Sequence, residues 1–245
     1  MSRVAFVTGG AGGIGSAICR GLAATGHAVA VADLVSGARG ALAEELGGLG
    51  VELDVCEPSS VAAAVEETTE ALGPIDVLVN CAGWDELMPF VDTDEAFQRK
   101  VIEINYAGPV RVTRAVLPGM IERRWGRVIT IGSDAGRVGS SMEAIYAGCK
   151  GGLIAFTKTI AREVARYAIT ANTVCPGPTD TPLLSAIVDA SADGGKVIAS
   201  MTGAVPMRRL GQPDDIAAAV AYFASDGAAF TTGQTLSVSG GLTMA

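Results

Sequence analysis

The chain has 245 residues, of which 49% are hydrophobic and only 5% aromatic, and its formal net charge is -8. This length permits one large α/β domain, and the composition suits layers of small aliphatic side chains. Nucleic acid and anionic membranes repel an acidic surface, which argues against both as partners. We therefore expect a small-molecule partner.

Short runs rich in β-branched residues alternate with helical stretches along the whole chain. The predicted strands are 4–8, 27–33, 51–55, 75–80, 126–133, 169–174 and 235–240, and the predicted helices are 14–24, 60–72, 95–123, 144–167 and 214–224. Strands that are apolar on both faces are typical of a buried parallel sheet. The pattern predicts the α/β class: a Rossmann-type doubly wound sheet of seven mainly parallel strands with helices on both faces. We expect a single domain over 1–245, with a small lid at about 182–210.

A glycine-rich turn at 8–15 follows the first predicted strand and leads into a predicted helix. Glycines let the backbone turn tightly and approach a pyrophosphate, whose charge a helix N-terminus stabilises. Asp33 ends the second predicted strand 20 residues after Gly13 (33 minus 13), where a carboxylate binds an adenosine ribose. Such a carboxylate accepts from the ribose hydroxyl of NAD and repels the extra phosphate of NADP, so NAD is the predicted cofactor. Two alternatives remain: Asp33 as a helix cap, and NADP binding through the nearby Arg39.

Three polar residues with catalytic spacing lie in the second half of the chain. Ser133 follows the fifth predicted strand, Tyr146 comes 13 residues later (146 minus 133), and Lys150 follows at i+4. On one helix face, the Lys150 ammonium favours the phenolate form of Tyr146. A phenolate takes the proton of an alcohol or returns it to an alkoxide, and a serine hydroxyl stabilises charge on the reacting oxygen. Taken singly, Ser133 fits a helix cap, Tyr146 a core residue and Lys150 a solvated surface charge. Together the three residues predict hydride transfer between a secondary alcohol or ketone and nicotinamide.

Histidine and cysteine usage excludes other enzyme classes. His27 is the single histidine, so a Ser-His-Asp hydrolase or a histidine-ligated zinc enzyme lacks its parts, and no metal is predicted. The five cysteines are scattered without a C-x-x-C pair, which favours reduced thiols and a cytoplasmic location. No signal-peptide pattern precedes the first predicted strand, so neither export nor a membrane partner is expected.

In order and over the whole chain, the motifs resemble those of the short-chain dehydrogenase/reductase family. They are TGGAGGIG at 8–15, NCAG at 80–83, Asn105, Ser133, YAGCK at 146–150 and PGPTDT at 176–181. The resemblance implies a homotetramer and catalytic roles for Asn105, Ser133, Tyr146 and Lys150, with Asn105 holding a water in a proton relay. Cys81 departs from the pattern, because many members have a second asparagine there. The implied cofactor contacts are Gly9, Gly13, Ile14, Gly15, Asp33, Asp54, Val55, Asn80, Ala82, Gly83, Tyr146, Lys150, Pro176, Gly177, Thr179 and Thr181.

Segments 132–156, 174–184 and 236–244, with the Gly83-Trp84-Asp85 turn, are similar to 2-hydroxycyclohexanecarboxyl-CoA dehydrogenases within this family. The resemblance implies a cyclic β-hydroxyacyl-CoA as substrate. The alternatives are a secondary alcohol dehydrogenase, a 3-oxoacyl-carrier-protein reductase and, from another class, a non-catalytic dinucleotide sensor. By analogy with apolar ligand pockets, Trp84, Met88, Leu183 and Leu184 are predicted to enclose the substrate. Basic residues that could meet CoA phosphates are Lys196, Arg208 and Arg209.

Overall fold

One sheet of seven parallel strands forms the centre of the molecule. The computed structural model describes residues 2–189 and 193–244. The strands are β1 (Val4–Thr8), β2 (Ala28–Asp33), β3 (Leu49–Glu52), β4 (Ile75–Asn80), β5 (Gly126–Ile131), β6 (Ile169–Pro176) and β7 (Thr235–Val238). Their order is β3-β2-β1-β4-β5-β6-β7, and every adjacent pair is parallel. The order changes direction between β1 and β4, where open α/β sheets bind ligands beyond the carboxyl ends of their strands.

Helices cover both faces of this sheet, as the sequence predicts. They are α1 (Gly13–Ala24), α2 (Ser36–Leu46), α3 (Pro58–Leu72), α4 (Glu95–Ile102), α5 (Gly108–Arg123), α6 (Ala135–Val138), α7 (Ala144–Val164), α8 (Pro182–Asp189), α9 (Gly194–Ala204) and α10 (Pro213–Ala224). In the described parts of the chain, none of them is long and apolar enough to cross a bilayer. The single-domain Rossmann-type fold is confirmed.

Strand residues alternate between two separate cores. Ala5 and Val7 of β1 join a core that α1 and α10 cover, whereas Val4 and Phe6 join a core that α3, α5 and α7 cover. Because successive side chains of a strand point to opposite faces, both faces of β1 are buried. This explains why its sequence is apolar throughout.

The third strand ends earlier than the prediction of 51–55. β3 ends at Glu52, and Asp54 then turns the chain toward α3. The Asp54 carboxylate accepts from the amide of Cys56 (2.8 Å), and the Asp54 amide donates to the Ser60 hydroxyl (2.9 Å). Such a local side-chain bond competes with the strand ladder, so the predicted end of this strand is wrong by three residues.

The structure also contains a helix that the sequence pattern did not indicate. Helix α2 buries Leu42 and Ala43 and otherwise lies against solvent. It therefore lacks the broad apolar stripe from which amphipathic helices are predicted.

The predicted helix at 95–123 is interrupted in its middle. A π-helical segment at Glu103–Ala107 separates α4 from α5. Pro109 explains the break, because it has no amide hydrogen for the carbonyl of Asn105 and its ring crowds that carbonyl. The wider turn leaves the Asn105 side chain fully buried near the carboxyl edge of the sheet. Such π-bulges are frequent at functional sites.

Helices α8 and α9 occupy most of the predicted lid at 182–210. Residues 190–192 of that span, like residues 1 and 245 of the predicted domain, lie outside the described residues. That this segment acts as a lid stays a prediction.

Candidate active site

The turn between β1 and α1 leaves no room for side chains. Gly9 has a φ of 62°, a left-handed conformation that favours glycine. A Cβ on Gly15 would lie 2.0 Å from the carbonyl oxygen of Gly9, and one on Gly9 would lie 2.8 Å from the Cα of Ala82. The turn is thus a backbone cradle at the N-terminus of α1, which suits a dinucleotide pyrophosphate.

Asp33 lies at the carboxyl end of β2, beside this cradle. Its carboxylate accepts from the amides of Ala11 and Val35, each at 3.0 Å. Arg39 donates to the main-chain oxygen of Asp33 (2.6 Å) and lies 3.8 Å from the carboxylate of Glu52. The guanidinium therefore already has acceptors on the protein, while each carboxylate oxygen of Asp33 can accept a further hydrogen bond.

The loop after β4 is fixed to the end of β1. The hydroxyl of Thr8 accepts from the amides of Cys81 and Ala82, both at 3.0 Å. Asn80 is buried and donates to the hydroxyl of Thr113 at 2.9 Å. These bonds hold the predicted cofactor residues of this loop against the glycine turn.

The segment after β6 closes the same cleft from the other side. A Cβ on Gly13 would lie 2.9 Å from Cδ of Pro182 and 3.1 Å from Cβ of Thr181, so this segment lies against the glycine turn. Within it, the hydroxyl of Thr179 donates to the carbonyl of Gly177 at 2.9 Å. The carbonyl of Pro176 accepts from a main-chain amide of the segment after β5, at 3.0 Å. The structure therefore brings these predicted residues together.

Three other predicted cofactor residues make structural contacts. Val55 is 7% exposed and belongs to the core under α3, and Ile14 packs against the opposite core. Asp54 holds the turn that ends β3. Their contacts with a cofactor stay predictions.

Ser133, Tyr146 and Lys150 converge beyond the carboxyl end of β5. Tyr146 lies in the first turn of α7, where its phenol is near enough to Ser133 for that side chain to lower the pKa of the phenol. Lys150 is buried one turn later; its ammonium lies 5.4 Å from the centroid of the Tyr146 ring and donates to the carbonyl of Ile131 at 3.0 Å. The end of the strand therefore holds the ammonium at a fixed position beside the phenol.

Asn105 lies behind this group. Its Oδ1 accepts from the amide of Trp84 (3.2 Å), and its Nδ2 donates to the carbonyls of Trp84 (2.6 Å) and Val101 (3.0 Å). A Cβ on Gly83 would lie 3.1 Å from Asn105 Oδ1 and 3.5 Å from Lys150 Nζ. Asn105 and Lys150 therefore flank Gly83, while the water that would join them in a relay stays a prediction.

Burial opposes ionisation of the phenol. It raises the pKa of Tyr146 well above its usual range, and the carboxyl groups of Glu143 and Asp85 raise it further, whereas the Ser133 side chain lowers it. Burial also lowers the pKa of Lys150. A phenolate near neutral pH therefore requires positive charge in addition to Lys150.

Of the predicted substrate residues, Met88 lines a small cavity beside the phenol of Tyr146. The cavity has room for about one water molecule (10 Å³). Trp84 packs edge-on against Phe97, with ring centroids 5.8 Å apart, and the Lys100 ammonium lies 3.4 Å from the Trp84 ring centroid. The Trp84 ring thus has partners on α4.

The other predicted substrate residues lie on or near α8 and α9. Leu184 of α8 is buried, whereas Leu183 is exposed. Arg209 makes two bonds of 2.6 and 3.0 Å to the carboxylate of Asp215, and Lys196 pairs with a carboxylate in the preceding turn. Arg208 donates to a main-chain carbonyl at 2.6 Å. Contacts of these basic residues with CoA phosphates would compete with the bonds within the protein.

Sequence reasoning missed two carboxyl groups beside the phenol. Asp85 is 6% exposed, and it lines the small cavity beside Tyr146 together with Glu143. The sequence contained a signal for both residues, because Asp85 follows the NCAG motif by two residues and Glu143 precedes Tyr146 by three.

Comparison with known proteins shows the family of the chain. A family model described as "Enoyl-(Acyl carrier protein) reductase" matches residues 9–243. The chain is 40% identical to an acetoacetyl-CoA reductase of Allochromatium vinosum, covering 100% of both chains. It is also 40% identical to a 3-oxoacyl-[acyl-carrier-protein] reductase of Escherichia coli, covering 99% of this chain and 98% of that one. An actinorhodin polyketide ketoreductase with NADPH has a TM-score of 0.94 at 36% identity, covering 98% and 97% of the two chains.

The fold and these relatives define an oxidoreductase that acts on keto and hydroxyl groups. The chain belongs to the short-chain dehydrogenase/reductase family. The resemblance inferred from the sequence motifs is confirmed at this level. Within the family, the names of these relatives support the 3-oxoacyl reductase alternative better than the 2-hydroxycyclohexanecarboxyl-CoA dehydrogenase interpretation.

Proposed function

We propose that this protein is an NAD-dependent oxidoreductase that interconverts β-oxoacyl and β-hydroxyacyl thioesters. The observation on which the proposal rests is the convergence of Ser133, Tyr146 and Lys150 beyond β5, beside the backbone cradle of the β1–α1 turn. A non-catalytic dinucleotide sensor, the alternative from another class, would not need this group. The names of the relatives supply the substrate class.

Each side chain of the group has a distinct task in the proposed reaction. The phenol of Tyr146 donates its proton to the reacting oxygen in reduction and takes it back in oxidation. The hydroxyl of Ser133 hydrogen-bonds the same oxygen as charge develops on it. The ammonium of Lys150, held by the Ile131 carbonyl, stabilises the phenolate. Asn105 positions the loop at Trp84 and borders Lys150 at Gly83, where a water would complete a path for protons.

The proposed cofactor site consists of the glycine turn, Asp33 and the loops after β4 and β6. When bound, the nicotinamide supplies or accepts the hydride. Glycine at positions 9 and 15 lets the turn pack tightly against Ala82 and against itself, which leaves a backbone cradle for the pyrophosphate at the N-terminus of α1. Asp33 favours NAD, since a carboxylate at this position repels a ribose phosphate.

We expect kcat/KM with NADH to exceed that with NADPH by at least about tenfold, a free-energy difference of about 1.4 kcal/mol. Asp33→Ala should narrow this gap, because it removes both the acceptor for the ribose hydroxyl and the repelling charge. Steady-state kinetics with both cofactors measures the effect. Glu44→Gln is the matched control, because it removes an exposed carboxyl group from the neighbouring helix α2. It should leave the ratio of kcat/KM with NADH to that with NADPH unchanged. Equal efficiency with both cofactors in the unmodified protein would contradict the proposal.

The substrate is best tested with thioesters and simple carbonyl compounds side by side. We expect kcat/KM for acetoacetyl-CoA to exceed that for a simple methyl ketone by at least about a hundredfold, because binding energy from remote groups positions the reacting carbon. Cyclic β-oxoacyl-CoA and acyl-carrier-protein thioesters belong in the same panel, since they separate the ring substrate from the linear one. Equal efficiency with the simple ketone would instead favour a general secondary alcohol dehydrogenase.

Homotetramer formation and a cytoplasmic location stay predictions. All five cysteines are free, as expected of reduced thiols.

A further inference from the structure

Two carboxyl groups border the reacting phenol without a task in the proposed proton transfer. Asp85 lies on the loop after β4, Glu143 immediately precedes α7, and both line the small cavity beside Tyr146. The amide of Met88 donates to the carbonyl of Met142 at 3.0 Å, so the two segments are tied together. The pair is therefore a built part of the substrate side of the site.

These carboxyl groups cannot both be ionised without a large cost. Asp85 is 6% exposed and lines the same small cavity as Glu143, and among the described residues no N–H or O–H group donates to its Oδ2. A second carboxyl group close by makes ionisation of the buried Asp85 carboxyl group less favourable. Burial, and then the charge of Glu143, raise the pKa of Asp85 to about 7. Below that pH the Asp85 carboxyl group is therefore mostly protonated.

The field of this pair extends to the reacting oxygen. Both carboxyl groups raise the pKa of the Tyr146 phenol, so a substrate in contact with that phenol lies within reach of the same charge. Lys150 is the cation that acts on Asp85, and it lowers the pKa of that carboxyl group. In a partly buried site, like charges a few ångströms apart repel more strongly than in water.

We propose that the Asp85–Glu143 pair determines substrate specificity by admitting β-oxoacyl groups as uncharged esters or thioesters and excluding the corresponding β-oxo carboxylates. This inference rests on the proposed function and adds a reason for its substrate class. A thioester and its free acid share the reacting ketone and differ in the charge of the neighbouring acyl group. Discrimination at the pair is therefore separate from any contribution of the CoA moiety.

Ethyl acetoacetate and acetoacetate isolate that charge, since neither contains CoA. With NADH, the unmodified enzyme should prefer the ester in kcat/KM, and the double substitution Asp85→Asn with Glu143→Gln should lower the ester-to-acid ratio at least about tenfold. At about pH 6, each single substitution should change the ratio by less than about threefold, because the remaining carboxyl group still opposes a negatively charged substrate. Glu86→Gln, an exposed carboxyl next to Asp85, is the control and should leave the ratio unchanged.

A pH series provides a second test that needs no variant. Between about pH 6 and 8 the Asp85 carboxyl group ionises, so the ester-to-acid ratio of the unmodified enzyme should rise with pH. The ionisation of Tyr146 and Lys150 affects both substrates and largely cancels in the ratio. A constant ratio over this range, or no change in the double variant, would overturn the inference while ester reduction continued. Failure of the unmodified enzyme to reduce any β-oxo ester or thioester would overturn the proposed function and this inference with it.

Discussion

Replacing Tyr146 with phenylalanine should lower kcat by at least about a hundredfold, the lower range for loss of a general acid or base. The substitution removes one oxygen from a side chain that lies near Ser133 and has the Lys150 ammonium 5.4 Å from its ring centroid. The aromatic ring and its packing remain. NADH binding should therefore persist, and fluorescence titration with NADH alongside steady-state kinetics separates the two effects.

Tyr167→Phe is the matched control for this substitution. Tyr167 lies in the turn after α7, where its ring packs against the guanidinium groups of Arg124 and Arg166. Loss of its hydroxyl should change kcat by less than about twofold, as expected for a surface change far from the reacting groups. Turnover near that of the unmodified enzyme in Tyr146→Phe would exclude the phenol as the acid or base.

Replacing Lys150 with methionine should also lower kcat at neutral pH by at least about a hundredfold, because the phenolate loses its neighbouring cation. Burial already raises the pKa of Tyr146, and removal of the ammonium raises it further. In the oxidation direction the active form is the phenolate, so activity increases with pH. That increase should move to higher pH in the variant, and a kcat profile in the oxidation direction measures the shift.

Lys158→Met controls for the loss of a lysine from the same helix. Lys158 lies on α7 two turns after Lys150 and is exposed. Its replacement should leave both kcat and the pH profile unchanged, since an exposed charge interacts only weakly with other groups of the protein. A Lys150→Met variant with reduced kcat but an unchanged pH profile would mean that Lys150 has a structural role only.

The strands, the glycine turn and the spacing of the catalytic residues could be predicted from the sequence because each depends on residues that are close together in the chain. Strands such as β1 are apolar on both faces, and the glycine turn and Asp33 lie at spacings fixed by a strand, a turn and a helix. Tyr146 and Lys150 are four residues apart, so helical geometry alone places them on one face. These features need no knowledge of distant contacts.

Features that depend on contacts distant in sequence could not be predicted in the same way. Asp85 and Glu143 line the same cavity but lie 58 positions apart in the sequence (143 minus 85), and neither belongs to the motifs at 8–15, 80–83, 146–150 or 176–181. The break between α4 and α5 had a local cause in Pro109, yet its effect on Asn105 depends on the loop at Trp84. Helix α2 lacks an apolar stripe, so its periodicity gave no signal.

The proposed hydride transfer can be tested directly by mixing the enzyme with NADH and acetoacetyl-CoA while following NADH absorbance and the acyl-CoA product. We expect the amount of NADH consumed to equal the amount of β-hydroxyacyl-CoA formed. We expect Tyr146→Phe to bind NADH but to consume it at least about a hundredfold more slowly. NADH binding without consumption across linear and cyclic β-oxoacyl thioesters would contradict the account and leave a dinucleotide-binding protein in its place.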